Sequence, residues 1–355
     1  MKLFFLKSLP VLLICPTLAV VLTGCESDKN GLTESRVFTF DVPDLKSNPV
    51  TPPKKVKDPE AWAQLGFDYQ SKQMWPQCIY CYTKSCELDP TKKGYWNSLG
   101  TAYQFSDNME SARNAFLRSH QLDVYEMGNL ESIGYADTRM SLHDDEALRF
   151  YLMVLSIDPA HKAAWDNLIG VLHRLDRDEF VPRVQTLASS PTEPNGPFVA
   201  DSINEHFLRE KPDDYDLLVN KGLFQTRMLN VPMALEAFDK ANKLKPDSPR
   251  VLIGYGLLYD AIGDSKKAVE YFTRCTKASP SQAMAWAMRG SIAEKAKNYK
   301  EALDCYVVAS ALSPEKAQWS GKIGVLDKIV KAGGVVKPAE AIKTPEASKP
   351  TKASY

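Results

Sequence analysis

The sequence lacks the features that mark several common functional classes. Its 355 residues carry 44 basic and 44 acidic side chains, so the basic excess typical of nucleic-acid-binding proteins is missing. Seven cysteines are too few for a fold built on disulfide bonds. The chain has no phosphate-binding loop, no Gly-x-Ser-x-Gly motif and no dinucleotide fingerprint, and its five histidines show no metal-binding spacing. We therefore expect no enzyme, no catalytic or metal-binding residue, no cofactor and no nucleic-acid partner.

The first 24 residues have the pattern of an export signal. Lys2 and Lys7 precede an apolar run over residues 9–22, which is too short and too interrupted by proline to span a membrane comfortably. The run ends in Leu-Thr-Gly followed by Cys25, which resembles the lipoprotein box of bacteria. The resemblance implies a signal peptide at 1–24 and a lipid anchor on Cys25, such as palmitate. An ordinary signal peptide with a chance cysteine is the alternative.

The residue after this cysteine bears on the location. In lipoproteins of Gram-negative bacteria, an Asp at this place favours retention in the inner membrane, whereas this chain has Glu26. The resemblance therefore implies a protein of the bacterial cell envelope, lipid-anchored in the outer membrane and facing the periplasm, although the choice between inner and outer membrane stays open.

Residues 25–58 are expected to form the lipidated cysteine and a flexible tether. This segment contains four prolines and shows no sustained helical periodicity. Phe38, Phe40 and Val42 alternate with polar residues, which favours a short strand or docking segment as a second interpretation.

A period of 34 residues runs through the rest of the chain. Gly66, Gly100 and Gly134 are 34 residues apart, and the same spacing separates Gly222 from Gly256. Such a period is typical of arrays of repeated structural units. The first repeat carries the full residue set, which is Trp62, Leu65, Gly66, Tyr69, Cys78, Tyr82, Ser85 and Pro90.

This period and residue set resemble the tetratricopeptide repeat (TPR). The resemblance implies an all-α fold, a tetratricopeptide-repeat superhelix (α-solenoid) of about seven helix pairs plus an extra mid-chain helix and a C-terminal capping helix. The predicted divisions are an N-terminal TPR block at 59–190, an irregular connection with one helix at 191–212, a C-terminal TPR block with the capping helix at 213–332, and a disordered basic tail at 333–355. The connection is either a bend between two blocks or an insertion in a continuous superhelix.

The cysteines allow two interpretations, which are metal or redox chemistry and packing in the core. Cys78, Cys81 and Cys86 lie on one predicted helix, where a Cys-x-x-Cys pair suggests metal or redox chemistry, but Cys78 also stands where the repeat requires a small buried residue. We favour packing. Cys275 and Cys305 lie on neighbouring second helices, and whether they are bonded stays open.

In tetratricopeptide arrays the first helices line a concave groove that binds partners. The resemblance places these residues in the groove: Asn97, Thr101, Gln104, Glu131, Tyr135, Thr138, Asp166, His173, Arg174, Asn220, Thr226 and Arg227. A mixed polar and aromatic lining suits a protein or peptide ligand. Some family members hold a C-terminal carboxylate in a lysine–asparagine clamp. At the equivalent places this chain has Asn97 with Thr101 and Asp166 with Gly170, so the clamp is absent.

These observations predict a non-enzymatic, membrane-anchored TPR scaffold. It would mediate protein–protein interactions in the assembly of an envelope machine, of the pilus or secretion pilotin, adherence accessory or peptidoglycan-hydrolase adaptor type. The alternative is a periplasmic binding protein for a small molecule or a cell-wall glycan, with the mid-chain connection as its cleft. A cytoplasmic co-chaperone with a misread N-terminus is a weaker alternative. The oligomeric state stays open.

Overall fold

The computed structural model describes residues 18–22, 38–46, 48–141 and 143–333. Two strands come first, β1 (Leu18–Leu22) and β2 (Phe38–Val42). The helices that follow are α1 (Pro59–Gln70), α2 (Trp75–Leu88), α3 (Lys93–Phe105), α4 (Met109–Leu122), α5 (Met127–Met140), α6 (Asp144–Ile157), α7 (Lys162–Arg174), α8 (Val181–Ser189), α9 (Gly196–Glu210), α10 (Tyr215–Arg227), α11 (Val231–Leu244), α12 (Pro249–Ala261), α13 (Ser265–Ala278), α14 (Ala283–Lys295), α15 (Tyr299–Leu312) and α16 (Ala317–Lys331).

The helices pack as antiparallel pairs that stack on one another. Contacts within a pair join α1 to α2, α3 to α4, α5 to α6, α7 to α8, α12 to α13 and α14 to α15. Contacts between pairs join the second helix of one to the first helix of the next, as α2 to α3 and α4 to α5. The extra helix α9 packs on α6 and α8, and α16 packs on α15. The predicted all-α fold of stacked helix pairs is confirmed. In the described residues, the structure also contains the two short strands β1 and β2.

The chain divides into two compact units, residues 1–224 and 225–355. The division falls inside α10, although the sequence places the connection at 191–212. The structure ties that connection to unit 1, because α9 packs on α6 and α8 and Lys211 forms an ion pair with Asp145. Sequence spacing shows that extra residues are present but not which helix they pack against. The sequence-based domain boundaries otherwise stay predictions.

Within a pair, the two helices approach closely where a glycine of the first faces a ring of the second. A Cβ atom at Gly100 would lie 2.7 Å from the Phe116 ring, and one at Gly256 would lie 2.5 Å from the Phe272 ring. Real Cβ atoms do not come this close, so the contact requires glycine. The period of the glycines is therefore the period of the helix-pair contact.

Tryptophan at the start of a first helix ties that helix to the preceding repeat boundary. In four repeats its indole N–H donates to the carbonyl oxygen six residues earlier, at 2.8–2.9 Å. The pairs are Trp62 with Val56, Trp96 with Pro90, Trp165 with Pro159 and Trp286 with Pro280. In the three later repeats the acceptor is the carbonyl oxygen of the boundary proline, which lies outside the preceding helix because the residue before proline disfavours helical geometry.

β2 is docked on the first two helix pairs. Phe40 is 0% exposed, and its ring centroid lies 5.8 Å from that of Trp96 and 6.2 Å from that of Tyr103. The Tyr103 hydroxyl donates to the carbonyl oxygen of Asp41 at 3.0 Å. Residues 38–42 therefore form the short docked strand of the second interpretation, within the segment for which a flexible tether is also predicted.

Three sequence predictions concern residues outside the described part of the chain: the lipid-bearing Cys25, most of the signal peptide, and the tail after Gly333. Within the described part, none of the helices combines the length and the hydropathy that a membrane span needs.

Candidate peptide-binding surface

The candidate site is the surface formed by the first helices of unit 1, which are α1, α3, α5 and α7. We name it the first-helix surface. It comprises Phe67, Asn97, Thr101, Gln104, Phe105, Glu131, Tyr135, Thr138, Arg139, Asp166, His173 and Arg174. Its members stand at fixed places relative to the repeat-glycine position, which is Ile169 on α7: three residues before it, or one, four or five residues after it.

On α3, an exposed polar residue is followed by an exposed ring. Asn97 is exposed, and the Thr101 hydroxyl donates to the carbonyl oxygen of Asn97 at 3.0 Å. Gln104 is half-buried. Phe105 is 62% exposed and stacks on Trp75 with ring centroids 4.8 Å apart and planes 8° apart. This stack holds an apolar ring face in solvent at a defined place.

On α5, side-chain bonds fix the predicted residues. The Tyr135 hydroxyl accepts a hydrogen bond from Arg139 Nη1 at 3.3 Å. The Thr138 hydroxyl donates to the carbonyl oxygen of Gly134 at 2.8 Å. The Glu131 carboxylate lies 3.6 Å from His161 Nε2, at the start of α7. These contacts limit the number of rotamers, which lowers the entropy lost when a ligand binds.

On α7, each of the three predicted residues has an acid or base partner. Asp166, His173 and Arg174 are exposed on this helix. Their partners are Lys162 at 2.6 Å, Asp178 at 2.6 Å and Asp144 at 2.7 Å, respectively. This end of the surface is charged but locally balanced, so a ligand must offer polar groups of both signs to compete with these pairs.

The residues predicted on α10 differ from those on the earlier helices. Asn220 is 0% exposed, and its amide donates to the carbonyl oxygen of Arg149 at 3.2 Å, so it cannot line an open groove. It stands two residues before the repeat glycine, not three as Asn97 does. Thr226 is buried and Arg227 is exposed, and both belong to unit 2. The structure thus brings together only the nine predicted residues of α3, α5 and α7.

An open cavity of about 570 Å³ continues this surface directly after Phe105. Arg139 Nη2 lies 3.1 Å from Asp107 Oδ1 within it, which joins the end of α5 to the turn before α4. The cavity is lined by Ser106, Asp107, Asn108, Met109, Glu110, Arg139 and Met140. The lining is therefore mixed, with the two methionine side chains beside an ion pair and other polar groups.

Three surface residues escaped the sequence prediction: Phe67, Phe105 and Arg139. Phe67 is 58% exposed on α1, at the repeat position that Thr101 and Tyr135 occupy in later repeats. Phe105 and Arg139 each follow the glycine by five residues. The repeat register alone could have identified all three. For the two phenylalanines the hydrophobic pattern points the other way, because an apolar side chain in an amphipathic helix is normally assigned to the core.

Polar bridges join neighbouring repeats along this surface. Glu60 accepts hydrogen bonds from Lys92 at 3.0 Å and from the Tyr95 hydroxyl at 2.8 Å. The Lys92 ammonium, and then the Tyr95 hydroxyl, hold the pKa of the Glu60 carboxyl below its usual value. The Asp107–Arg139 pair makes the same kind of bridge one repeat later. Both bridges are solvent-exposed contacts between neighbouring repeats.

A buried charge lies beneath the third repeat. Asp137 takes the place held by tyrosine in the first two repeats, Tyr69 and Tyr103. Its carboxylate accepts a hydrogen bond from Arg113, which also bonds Glu146. Burial raises the pKa of Asp137 to about 6, because the loss of hydration outweighs the nearby guanidinium.

The five cysteines of the described residues support packing over chemistry. Cys78, Cys81, Cys86, Cys275 and Cys305 are all buried, and none of these five forms a disulfide bond. Burial raises the pKa of the Cys78 and Cys81 thiols to about 12, so neither is a thiolate at neutral pH. Within the described residues, no cluster of His, Cys, Asp or Glu has a geometry that could hold a metal ion.

Comparisons with known proteins identify the repeat in one segment. Residues 249–282, which hold α12 and α13, match the family model described as Tetratricopeptide repeat. The chain therefore contains a tetratricopeptide repeat, and repeats of this family bind peptides and proteins. No curated protein matches the chain.

Three solved structures resemble the chain at low identity. A tetratricopeptide repeat protein from Parabacteroides merdae is 14% identical, with 76% of this chain and 98% of the other covered and a TM-score of 0.39. The structure of pilF from Pseudomonas aeruginosa is 16% identical, with 62% of this chain and 92% of the other covered and a TM-score of 0.30. YrrB, described as a TPR protein with an unusual peptide-binding site, is 17% identical, with 59% of this chain and 97% of the other covered and a TM-score of 0.33. With TM-scores this low, the three structures say nothing about the partner of this chain.

Proposed function

We propose that this chain is a non-enzymatic scaffold, lipid-anchored in a bacterial cell envelope, that holds a protein partner on the first-helix surface. The partner belongs to an envelope machine whose assembly the scaffold assists. The anchor rests on the lipoprotein box at Cys25, and the binding role rests on the first-helix surface of unit 1.

One observation carries the binding role. Phe105 exposes an apolar ring, held by its stack on Trp75, at the edge of the 570 Å³ cavity. Exposed rings of this kind serve as anchors when they fill a pocket or receive an apolar side chain from a partner. The hydroxyl of Tyr135 and the Asp107–Arg139 pair supply polar groups for the backbone of an extended peptide.

Replacing Phe105 tests this role directly. We expect Phe105→Ala to reduce the recovery of crosslinked partners from envelope extracts at least fivefold, because loss of an aromatic anchor costs about 1–3 kcal/mol of binding. The measurement is quantitative mass spectrometry after crosslinking in living cells. Circular dichroism of the purified variant checks that the helices are intact.

Phe198→Ala is the matched control. Phe198 is also 62% exposed but lies on α9, outside the first-helix surface. We expect its partners to equal those of the unaltered chain. Equal recovery with Phe105→Ala and with Phe198→Ala would contradict a binding role for the first-helix surface.

A further inference from the structure

β2 is held by the helices and not only by its neighbouring strand. It contacts α2 and α4, and Phe40 lies beside Trp96 and Tyr103 in the core of the first repeats. The Tyr103 hydroxyl bonds the carbonyl oxygen of Asp41, and the Asn108 amide lies 3.4 Å from the Asp41 carboxylate. β2 therefore has anchors on the helices that do not depend on β1.

β1 pairs along the whole length of β2. The two strands are antiparallel, with Leu18 opposite Val42, Val20 opposite Phe40 and Leu22 opposite Phe38. In the described part of the chain, this sheet has two strands and no third. Without β1, both edges of β2 would lack a strand neighbour.

The strand that now occupies this edge lies within the export signal. Residues 18–22 belong to the segment 1–24, which a lipoprotein anchored at Cys25, as proposed above, loses as its signal peptide. A mature chain that begins at Cys25 keeps β2 and its anchors but loses β1. Its β2 edge then presents unpaired N–H and C=O groups, which are a template for another strand.

We propose, on the basis of that function, that β2 in the mature chain is an acceptor for an extended segment of a partner protein, added antiparallel at the edge that β1 occupies. The segment carries apolar residues at alternate positions. Directly opposed residues of an antiparallel pair share one face of the sheet, and the face of Phe40 and Val42 is buried. Main-chain hydrogen bonds provide affinity in this mode, and alternate side chains provide selectivity.

The probe is a fluorescent nine-residue peptide with the sequence of residues 16–24, which contains β1. Fluorescence anisotropy measures its binding to the mature lipoprotein, purified from membranes in detergent. We expect binding to the mature chain and at least tenfold weaker binding to the full chain of residues 1–355, where β1 already occupies the edge. A peptide with Val20→Asp should bind at least tenfold more weakly than the parent.

Backbone methylation separates strand addition from simple apolar contact. Alternate N–H groups of a strand point to the same edge. One peptide is N-methylated at Ala19 and Val21, and another at Val20 and Leu22. We expect one of the two to lose at least tenfold in affinity and the other to stay within about twofold. Equal affinity of the two peptides would overturn the proposal.

Protein variants give a matched comparison. Phe40→Ala should weaken peptide binding, whereas Phe198→Ala, which removes an exposed ring from α9, should leave it unchanged. If the mature chain binds no peptide and instead dimerises through this edge, the occupant is a second copy and the proposal fails. If the cell retains residues 1–24, the proposed export fails, whereas the peptide assay on the chain beginning at Cys25 still reports on the acceptor strand.

Discussion

Asp137 departs from the repeat pattern, and its buried carboxyl makes the free energy of unfolding depend on pH. A carboxylate buried beside Arg113 replaces the tyrosine of the earlier repeats, and its pKa rises to about 6 in the folded state. Its ordinary pKa in an unfolded chain is about 4. The folded chain therefore binds a proton at this site more readily than the unfolded chain does. Protonation favours folding, and the contribution of Asp137 to the free energy of unfolding falls as the pH rises from about 4 to about 6.

The prediction compares the chain with Asp137→Asn, in which this site cannot titrate. We expect the free energy of unfolding of the unaltered chain, relative to that of the variant, to decrease between about pH 4 and pH 6 and to be constant above about pH 7. Urea unfolding across that range measures it. A difference that does not vary with pH would show that burial does not raise the pKa of Asp137.

At the scale of elements, the contact between paired helices depends on a missing Cβ atom. Gly100→Ala places that atom 2.7 Å from the ring of Phe116, which must then shift. We expect a loss of about 1–3 kcal/mol in the free energy of unfolding, as for other over-packed cores. Urea or thermal unfolding measures the loss.

Two further variants isolate this contact. Gly94→Ala lies on the same helix with nothing within 4 Å of its Cβ atom, so we expect no loss of stability. Combining Gly100→Ala with Phe116→Leu should cost less than the sum of the two single changes, with a coupling of at least about 0.5 kcal/mol. Strictly additive effects would show that the glycine and the ring are not coupled.

At the scale of the whole molecule, the repeat period predicts most of the helical architecture, because close helix packing imposes its residue set at fixed intervals. It does not predict the docking of β2, since three alternating residues are a weak signal without the helices that bury Phe40. Nor does it predict the burial of Asn220, where a shift of one residue turns an amide from the surface to the carbonyl oxygen of Arg149. The exposure of Phe105 depends on its neighbour Trp75, which the repeat pattern does not specify.

The proposed anchor makes a prediction for the whole chain in the cell. Cys25→Ala should abolish the incorporation of labelled palmitate and release the protein from the membrane fraction, because in the proposed anchor this thiol is the acceptor of the lipid. Cys305→Ala, which alters a buried cysteine, should retain both label and location. Undiminished labelling of the Cys25→Ala variant would contradict the anchor.

In the proposed lipid-anchored chain, the docking of β2 shortens the segment between the lipidated cysteine and the first docked residue. Twelve residues lie between Cys25 and Phe38, whereas the whole segment up to Asp58 contains 33 residues. A flexible chain of 12 residues has a mean reach of about 19 Å, against about 32 Å for 33 residues. Because effective concentration falls with roughly the three-halves power of linker length, the shorter segment of the proposed anchored chain would raise the effective concentration at a membrane-bound partner by about four- to fivefold. Undocking of the five-residue strand β2 would therefore lower the effective concentration of the scaffold at a membrane-bound partner.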